Sequence, residues 1–594
     1  MKTKYILVVF TLVFGVLEAQ KNKADRLFNQ WNYYKASNVY QKKINRKPNA
    51  NLYYKLGQCY RKMGAYPKEE VEAFNKVNSM GNYSDPEFYL VYSQSLRKIG
   101  KTSEAKNAIE KYILLKPEDP RGEFYRKSIE AMENDVYTDQ PIGIKNMGKM
   151  NSIGADFNPV RYKNQVIFTS SRKSKGHNKR YGWTGSHFLD IYEADLGKEE
   201  SKIESTREFE ISGINKKFHD GPISFSKNFD TLFLSRVEKY LKGTDKQTLQ
   251  IQRNKIFMQS KKNNKWQKEI PFHLNSDFYS VANPFLSPDG KRLYFVSDMP
   301  GGFGETDIYY CEKTGDVWGS AINLGPKINT FNHESFPTID GKGNFYFASD
   351  GYYGPGGMDI CVAKFNGDNF EQANPLKAPI NSSYDDFGIM FLTQEKTGYI
   401  SSNRIASSRG NDDIYHFSLL EDQVDENLLL SDYIVGWKPI IPEVVVEIVV
   451  PEKVEVEKAE INYNVFPYQS FEVTIYYDFD KSFIRNEDFD KLDSLVDLMK
   501  KFPESKVSLS GHTDSHGPND YNFDLSDKRN NSVLFFLKEQ GIDQKRINAK
   551  GYGLTRLVNR CKKGVKCTDN EDQMNRRVEI ILQPTKSKPQ FINN

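Results

Sequence analysis

An acid, an amide and a guanidinium occur at close spacing near the C-terminal end of this sequence. Asp514 lies in the segment Gly-His-Thr-Asp-Ser-His-Gly that begins at Gly511, Asn522 follows it, and Arg529 comes fifteen residues after the acid. A strand, a loop and an amphipathic helix of this length can bring the acid and the arginine to one pocket mouth. A carboxylate beside a forked cation suits a ligand that carries both an ammonium group and a carboxylate.

The segments around this motif alternate between strand and helix patterns. The predicted order is a half-buried strand at 473–479, a helix at 489–502, a strand at 507–509 that leads to Gly511, a helix at 525–537 that Gly541 ends, and a closing strand at 576–582. This β-α-β-α-β order predicts an α+β domain with its helices on one face of the sheet. We place that domain at residues 469–585 and a short tail at 586–594.

Residues 20–135 show a helical pattern that repeats. Ala36, Tyr40 and Pro48 recur with the same offsets in a later copy, as Ala105, Ile109 and Pro117. These residues resemble the tetratricopeptide repeat, in which small residues let two helices cross closely and proline ends the second helix. The resemblance implies either a groove for a partner or a packing module that supports its neighbour.

Residues 136–420 contain five copies of a strand pair. An aromatic strand that ends in Ser-Arg, Ser-Asp or Ser-Asn is followed by a tripeptide such as Asp-Ile-Tyr, at intervals of roughly 50 to 65 residues. The tripeptides begin at Asp190, Lys255, Asp307, Asp359 and Asp413. The segment Ser-Pro-Asp-Gly at 287–290 resembles the WD40-like repeat of TolB-type β-propellers, which implies five blades, or six if 138–156 forms another.

The two remaining segments are a predicted signal peptide, which indicates export, and a predicted linker. Residues 1–19 have the pattern of a secretory signal peptide, with Lys2 and Lys4 before an apolar run that ends at Leu17. No later stretch is apolar for the roughly 18 residues that a membrane-spanning helix needs. Residues 421–468 alternate Val and Glu between prolines, which predicts extended linker; one or two packed strands are the alternative.

Composition excludes several classes of function. Lys and Arg number 83 against 78 Asp and Glu, and this balance argues against a nucleic-acid partner. Cys561 and Cys567 enclose a short loop and lack further ligands for zinc, so we predict a disulfide in an oxidising compartment. We identify no catalytic residues, no metal site and no cofactor, and the chain is not expected to be an enzyme.

The C-terminal motifs as a set resemble the OmpA-like domain. The matching segments are Phe479-Asp480, Gly511–Asp514, Tyr521-Asn522, Leu525-Ser526, Arg529, Gly551–Gly553 and Asn575–Glu579. That family binds peptidoglycan through the diaminopimelate of the stem peptide. The resemblance implies that Asp514 holds the ligand ammonium, that Arg529 holds its carboxylate, and that Thr513, Asn522, Leu525 and Arg577 line the same pocket. Asn530 departs from the family, which usually has Ala there, and we expect an effect on helix packing.

The order of the three domains is similar to that of periplasmic proteins of Bacteroidota that serve type IX secretion and gliding. This resemblance implies a periplasmic protein at the outer membrane and cell wall, with a PorP/SprF-like outer-membrane protein as its partner. Two other classes stay open, a cell-wall-processing enzyme and a sensor with a ligand in the propeller channel. For the loop itself, the alternatives are a metal site formed by His512, Asp514 and His516, and a purely structural Asp514–Arg529 salt bridge.

Overall fold

The computed structural model describes residues 23–134, 142–419 and 470–583, except for gaps at 29, 82, 118, 174–179, 198–200, 217, 239–252, 277–278, 300, 368, 393–396, 405–407, 480, 483, 486–487, 517–518, 564 and 566. The signal sequence, the linker and the tail expected at 1–19, 421–468 and 586–594 lie outside these residues. The chain divides into two compact units, and residues 470–583 belong to the second. Among the helices that are described, none combines the length and apolar composition needed for a membrane crossing.

The N-terminal part of the first unit is helical. Its helices are α1 (Tyr33–Ile44), α2 (Ala50–Met63), α3 (Pro67–Ser79), α4 (Glu87–Lys98), α5 (Thr102–Leu115) and α6 (Pro120–Asn134). The Asn49 side chain accepts a hydrogen bond from Leu52 N and caps α2, and Gly64 ends that helix with φ at 72°. A β-carbon at Gly57 would lie 2.3 Å from the Phe74 ring, so the close crossing of α2 and α3 requires a residue without one.

Five antiparallel sheets follow in the same unit. The strands are β1 (Ile142–Asn146), β2 (Asp156–Tyr162), β3 (Gln165–Ser170), β4 (Asp190–Leu196), β5 (Ile203–Glu208), β6 (Asp220–Phe225), β7 (Thr231–Glu238), β8 (Arg253–Lys262), β9 (Lys265–Trp266), β10 (Ile270–Pro271), β11 (Val281–Leu286), β12 (Arg292–Ser297), β13 (Asp307–Thr314), β14 (Val317–Trp318), β15 (Ile322–Asn323), β16 (Glu334–Ile339), β17 (Phe345–Ser349), β18 (Asp359–Ala363), β19 (Asn374–Pro375), β20 (Asp386–Phe391), β21 (Thr397–Ser402) and β22 (Asp413–Leu419). The sheets comprise β2–β5, β6–β10, β11–β15, β16–β19, and β20–β22 together with β1.

The leading strands of these sheets contact one another in a closed cycle. β2 contacts β6, β6 contacts β11, β11 contacts β16, β16 contacts β20, and β20 returns to β2. The strand β1 pairs with β22, with Ile142 opposite Leu419. The segment at 138–156, which the sequence offered as a sixth blade, therefore contributes β1 to the fifth sheet. Pairing with β1 covers the edge of β22, whose backbone donors and acceptors would otherwise be exposed.

The residues at the ends of the recurring strands, such as Ser-Arg, have a structural role. The acid that begins β2, Asp156, is fully buried and accepts hydrogen bonds from Ser170 Oγ and Arg172 Nη2, both at 2.6 Å. The same combination of a buried acid and an arginine recurs in the second sheet as Asp220 with Arg236. It recurs again in the fifth sheet, as Asp386 with Arg404. Burying a carboxylate is costly unless it is paired and hydrogen-bonded, so these residues lock one strand to the next within a sheet.

The helices and the sheets of the first unit are in direct contact. On α6, the Phe124 ring lies 5.0 Å from the Phe331 ring and 4.9 Å from the Tyr353 ring, centroid to centroid. At the other end of the helical array, Trp183 packs edge-on against Tyr33 at 5.1 Å. These aromatic contacts place α1 and α6 against loops of the sheets.

The second unit contains the predicted α+β domain with one additional strand. Its elements are β23 (Phe471–Tyr476), α7 (Phe489–Lys501), β24 (Val507–Gly511), α8 (Asn519–Glu539), β25 (Ile547–Gly551), α9 (Asp569–Gln573) and β26 (Arg577–Leu582). The sheet order is β23-β26-β24-β25, and only the β24–β25 pair is parallel. Ile475, Leu492, Leu509, Val533 and Ile580 form its core. The predicted β-α-β-α-β order omitted β25, an edge strand whose residues 548–550 are exposed and show no apolar alternation.

Replacement of Phe124 by Ala should loosen the helical array from the sheets. Because Phe124 is partly buried against two rings, we expect a loss of about 2 kcal/mol of local stability. Hydrogen exchange followed by mass spectrometry on the full chain should show faster exchange in α6. Leu115→Ala, at an exposed position of the same array, is the matched control. Equal exchange of α6 in both variants would show that these ring contacts do not hold the helix.

Candidate ligand-binding site

The loop that follows β24 is fixed by backbone hydrogen bonds to two neighbouring segments. His512 N donates to Arg577 O at 2.8 Å, and Thr513 N donates to Gly553 O at 3.1 Å. A β-carbon at Gly511 would lie only 2.2 Å from the carbonyl oxygen of Ser526 on α8, so β24 and α8 can approach this closely only at glycine. The loop is therefore placed rigidly between β26, α8 and the turn after β25.

Asp514 is buried in this loop and is held from both sides. It is 4% exposed, and Arg576 Nη1 donates to its Oδ2 at 3.1 Å. Its Oδ1 accepts a hydrogen bond from His516 N at 3.0 Å and lies 3.4 Å from His516 Nδ1. Burial would raise the pKa of Asp514, but the hydrogen bonds and charges of His516 and Arg576 outweigh it and lower that pKa below its usual value. The carboxylate is therefore ionised at neutral pH.

Arg529 lies deeper than the sequence analysis expected. Its side chain is fully buried rather than placed at a pocket mouth. The guanidinium donates to the carbonyl oxygens of Lys481 at 2.8 Å, His512 at 2.9 Å and Asp478 at 3.2 Å. It also lies over the ring of Tyr477 at 5.1 Å. In this arrangement Arg529 ties together the segment after β23 and the loop after β24, and the ion pair of Asp514 is made with Arg576 instead.

Three other predicted residues, Thr513, Asn522 and Leu525, lie in or beside the same loop. Thr513 Oγ1 donates to the carbonyl oxygen of Asp514 at 2.9 Å, and Asn522 Nδ2 donates to His516 O at 2.6 Å. Leu525 is buried beside them on α8. These contacts fix the backbone of the loop and thereby the direction in which the Asp514 carboxylate points.

The side chain of Arg577 contacts Glu579 and the backbone of Arg556. Its Nε and Nη2 donate to Glu579 Oε1 at 2.9 and 2.6 Å, and its Nη2 also reaches Arg556 O at 3.3 Å. The preceding residue, Arg576, holds Asp514 and is itself braced by Gln573 on α9. Arg577 was predicted as a residue that lines the pocket, and this stays a prediction, whereas Arg576 was not identified from the sequence. Successive side chains alternate between the faces of a strand, but the pattern alone does not tell which of the two faces the loop.

The histidines of the loop have different partners, contrary to the metal-site alternative. His512 is buried, stacks on the Tyr552 ring at 5.4 Å, and has its Nε2 3.6 Å from Glu579 Oε2. Burial and the charge of Arg577 lower the pKa of His512 to about 4. Within the described residues, the group of three potential metal ligands that lies close together is Cys561, Cys567 and Glu571.

Cys561 and Cys567 form a disulfide with their Cα atoms 5.8 Å apart, so their sulfur atoms are already occupied. The enclosed loop leads directly to α9, which Thr568 and Glu571 begin with a reciprocal capping box. Gln573 at the end of α9 binds both Arg576 and the carbonyl oxygen of Tyr477. The disulfide thus closes the loop that precedes α9, the helix whose Gln573 binds Arg576.

A model of the OmpA family matches residues 476–571. Outer membrane porin F of Pseudomonas fluorescens is 37% identical over 112 residues, which cover 19% of this chain and 33% of that protein. The peptidoglycan-associated lipoprotein of Buchnera aphidicola is 32% identical over 110 residues, which cover 18% of this chain and 61% of that protein. A solved structure of the peptidoglycan-associated lipoprotein from Burkholderia pseudomallei aligns at 24% identity with a TM-score of 0.17, over 18% of this chain and 89% of that one.

The residues that match the family model lie in the C-terminal part of the chain. The chain spans 33% of the length of the porin F relative and 61% of the length of the lipoprotein relative. The C-terminal domain is an OmpA-family domain.

Asn530 carries a buried amide that should make it a weak point of this domain. Its Oδ1 and Nδ2 are buried without hydrogen-bond partners, next to Gly511. A buried unsatisfied polar group costs about 1–3 kcal/mol, so Asn530→Ala should raise the stability of the domain by about 1 kcal/mol after the loss of packing. Calorimetry of the full chain should show the transition of this domain a few degrees higher. Asn548→Ala, at an exposed position on β25, should leave it unchanged; a lower transition for Asn530→Ala would contradict the prediction.

Proposed function

We propose that this protein is a non-enzymatic anchor that binds peptidoglycan through its C-terminal domain. The observation that carries the proposal is the buried and ionised carboxylate of Asp514, held at the end of β24 in a domain of the OmpA family. Relatives of this domain include proteins named peptidoglycan-associated lipoproteins, and one solved relative is described as the cell wall anchor of a type VI secretion system. The proposed location is the periplasm, in contact with the cell wall and the outer membrane.

The proposed ligand is the diaminopimelate of the stem peptide. Asp514 would receive the ammonium group, because it is the ionised acid of the loop and a charge-assisted hydrogen bond is strong when water is excluded. Thr513, Asn522 and Leu525 would keep the loop in place around the ligand. We retain Arg529 as the cation for the ligand carboxylate and Arg577 as a residue that lines the pocket. Arg529 is fully buried here, so its direct contact with a ligand would require the segment after β23 to move.

The first unit would connect this anchor to a protein partner. We propose that its five sheets form a five-bladed β-propeller, a reading supported by the closed cycle of contacts and by the pairing of β1 with β22. We further propose that its helices are tetratricopeptide repeats, which the Gly57 crossing and the repeated pattern support. The domain order resembles PorE of the type IX secretion system, so a PorP/SprF-like outer-membrane protein is the proposed partner.

The contacts of the acids in the sheets favour a scaffold over an enzyme. Asp156, Asp220 and Asp386 each pair with an arginine of their own sheet. Asp413, from one of the recurring tripeptides, accepts a hydrogen bond from Asn146 Nδ2 at 2.9 Å. Acids that are used to join strands are poorly placed to exchange protons with a substrate.

Binding to purified sacculi tests the anchor. Asp514→Asn should reduce retention of the full chain at least tenfold, because a hydrogen bond to a charged group contributes about 1.5–3 kcal/mol. Free diaminopimelate should compete for the wild type. Asp497→Asn, an exposed acid on α7, is the matched control and should bind like the wild type.

Thermal unfolding of each variant separates loss of binding from loss of fold. Equal retention of folded Asp514→Asn and wild type, or no competition by diaminopimelate, would overturn the proposed function.

A further inference from the structure

The ammonium-binding position proposed at Asp514 already contains a basic side chain. His516 Nδ1 lies 3.4 Å from Asp514 Oδ1 and 3.7 Å from Asp572 Oδ2, so the imidazole stands between two carboxylates. Asp514 and Asp572 are both 4% exposed, whereas the His516 side chain is 56% exposed. The two acids therefore form a buried, negatively charged site that a solvent-facing ring closes.

The other cation at this site is far less free to leave. Arg576 is almost fully buried, and it donates to Gln573 and to the carbonyl oxygen of Tyr477 as well as to Asp514. Removal of Arg576 would break all of these bonds, each of which is costly to leave unmade in a buried place. His516 has an exposed side chain and can turn into water, where its charge is well solvated. A ligand cation that approaches Asp514 will therefore displace His516 and leave Arg576 in place.

We propose that the imidazolium of His516 occupies the position of the ligand ammonium in the free protein, and that the ammonium replaces it between Asp514 and Asp572. The proposal rests on the proposed function and adds two residues to its site. Asp572, on α9, becomes a second carboxylate that binds the ammonium group. His516 becomes a competitor that is effective only when it carries a proton.

The charges around His516 in the free protein determine how this competition depends on pH. The hydrogen bond to Asp514 raises the pKa of His516 above its ordinary value; burial lowers that pKa, the charges of Asp514 and Asp572 raise it, and the charge of Arg576 lowers it. Among the described residues, the uncharged Phe479 ring also packs against His516, with its centroid at 5.8 Å. When the ammonium replaces the imidazolium, His516 loses its carboxylate partners and gains a like charge, so its pKa must fall.

Binding is therefore coupled to the release of a proton. Ligand affinity should be highest above the raised pKa of free His516 and should fall as the pH drops through it. Below the pKa of His516 in the complex, the affinity should become constant again. The other histidine of the site, His512, does not interfere because its pKa is about 4. The pKa of Asp514 is lowered, so that acid also stays ionised in this range.

The test compares the pH dependence of binding in two forms of the full chain. Retention on sacculi and titration with free diaminopimelate are measured from pH 8.5 to pH 5.5 for the wild type and for His516→Gln. The wild type should bind several-fold to about tenfold more weakly at the acidic end, since one proton changes affinity by at most tenfold per pH unit. His516→Gln should show an almost flat profile and should bind more tightly than the wild type at pH 5.5.

A second comparison tests Asp572 without its histidine partner. In the His516→Gln background, Asp572→Asn should weaken binding at least fivefold at all pH values, whereas Asp497→Asn in the same background should not. Identical pH profiles for the wild type and His516→Gln would overturn the competition by His516. Unchanged binding by the folded double variant would overturn the role of Asp572. No binding of the wild type at any pH would overturn the proposed function, and this inference with it.

Discussion

The C-terminal domain depends on the burial of one ionised carboxylate, that of Asp514. Moving such a group out of water is expensive, and only hydrogen bonds and opposite charge can compensate for it. One donor is local, His516 N in the loop after β24, and the other, Arg576 just before β26, comes from far along the chain. Arg576 in turn is held in place by Gln573 on α9. The segments of the domain that carry these donors are therefore constrained by the same charge.

The first unit also contains buried acids paired with cations, but there they join strands. In its sheets, buried acids such as Asp156 are satisfied by a serine and an arginine from the neighbouring strand, and the arginine is itself largely buried. Burial raises the pKa of Glu334 to about 8 despite hydrogen bonds from Thr330 and Ser349, and it also raises the pKa of Asp220 and Asp386 despite their arginine partners. At Asp514, by contrast, one of the two cations is an exposed histidine. An acid whose partner can leave is suited to binding a ligand, and an acid whose partners are all buried is suited to holding strands together.

The sequence was most informative where local geometry leaves few alternatives. The glycine of the loop motif and the apolar stripes of the C-terminal helices led to the observed α+β domain, since β24 can meet α8 only at a residue like Gly511. The strand β25 was missed because an exposed edge strand needs no apolar alternation. The ion pair of Arg576 with Asp514 and the pairing of β1 with β22 were not predicted, because both depend on contacts between residues far apart in sequence. The depth of Arg529 depends on three backbone carbonyls that no side-chain pattern reveals.

The closure of the sheets constrains how a tether of the proposed kind could carry tension. Ile142, at the start of β1, pairs with Leu419, at the end of β22, so the chain enters and leaves the sheets at the same end of one antiparallel pair. A pull applied to both ends of such a pair separates it one residue pair at a time, which needs less force than sliding the strands along each other. The contacts of Phe124 and Trp183 provide a second connection, because they join the helices to loops of the sheets independently of β1. A partner held by the helices would thus pull first on aromatic packing and only afterwards on the β1–β22 pair.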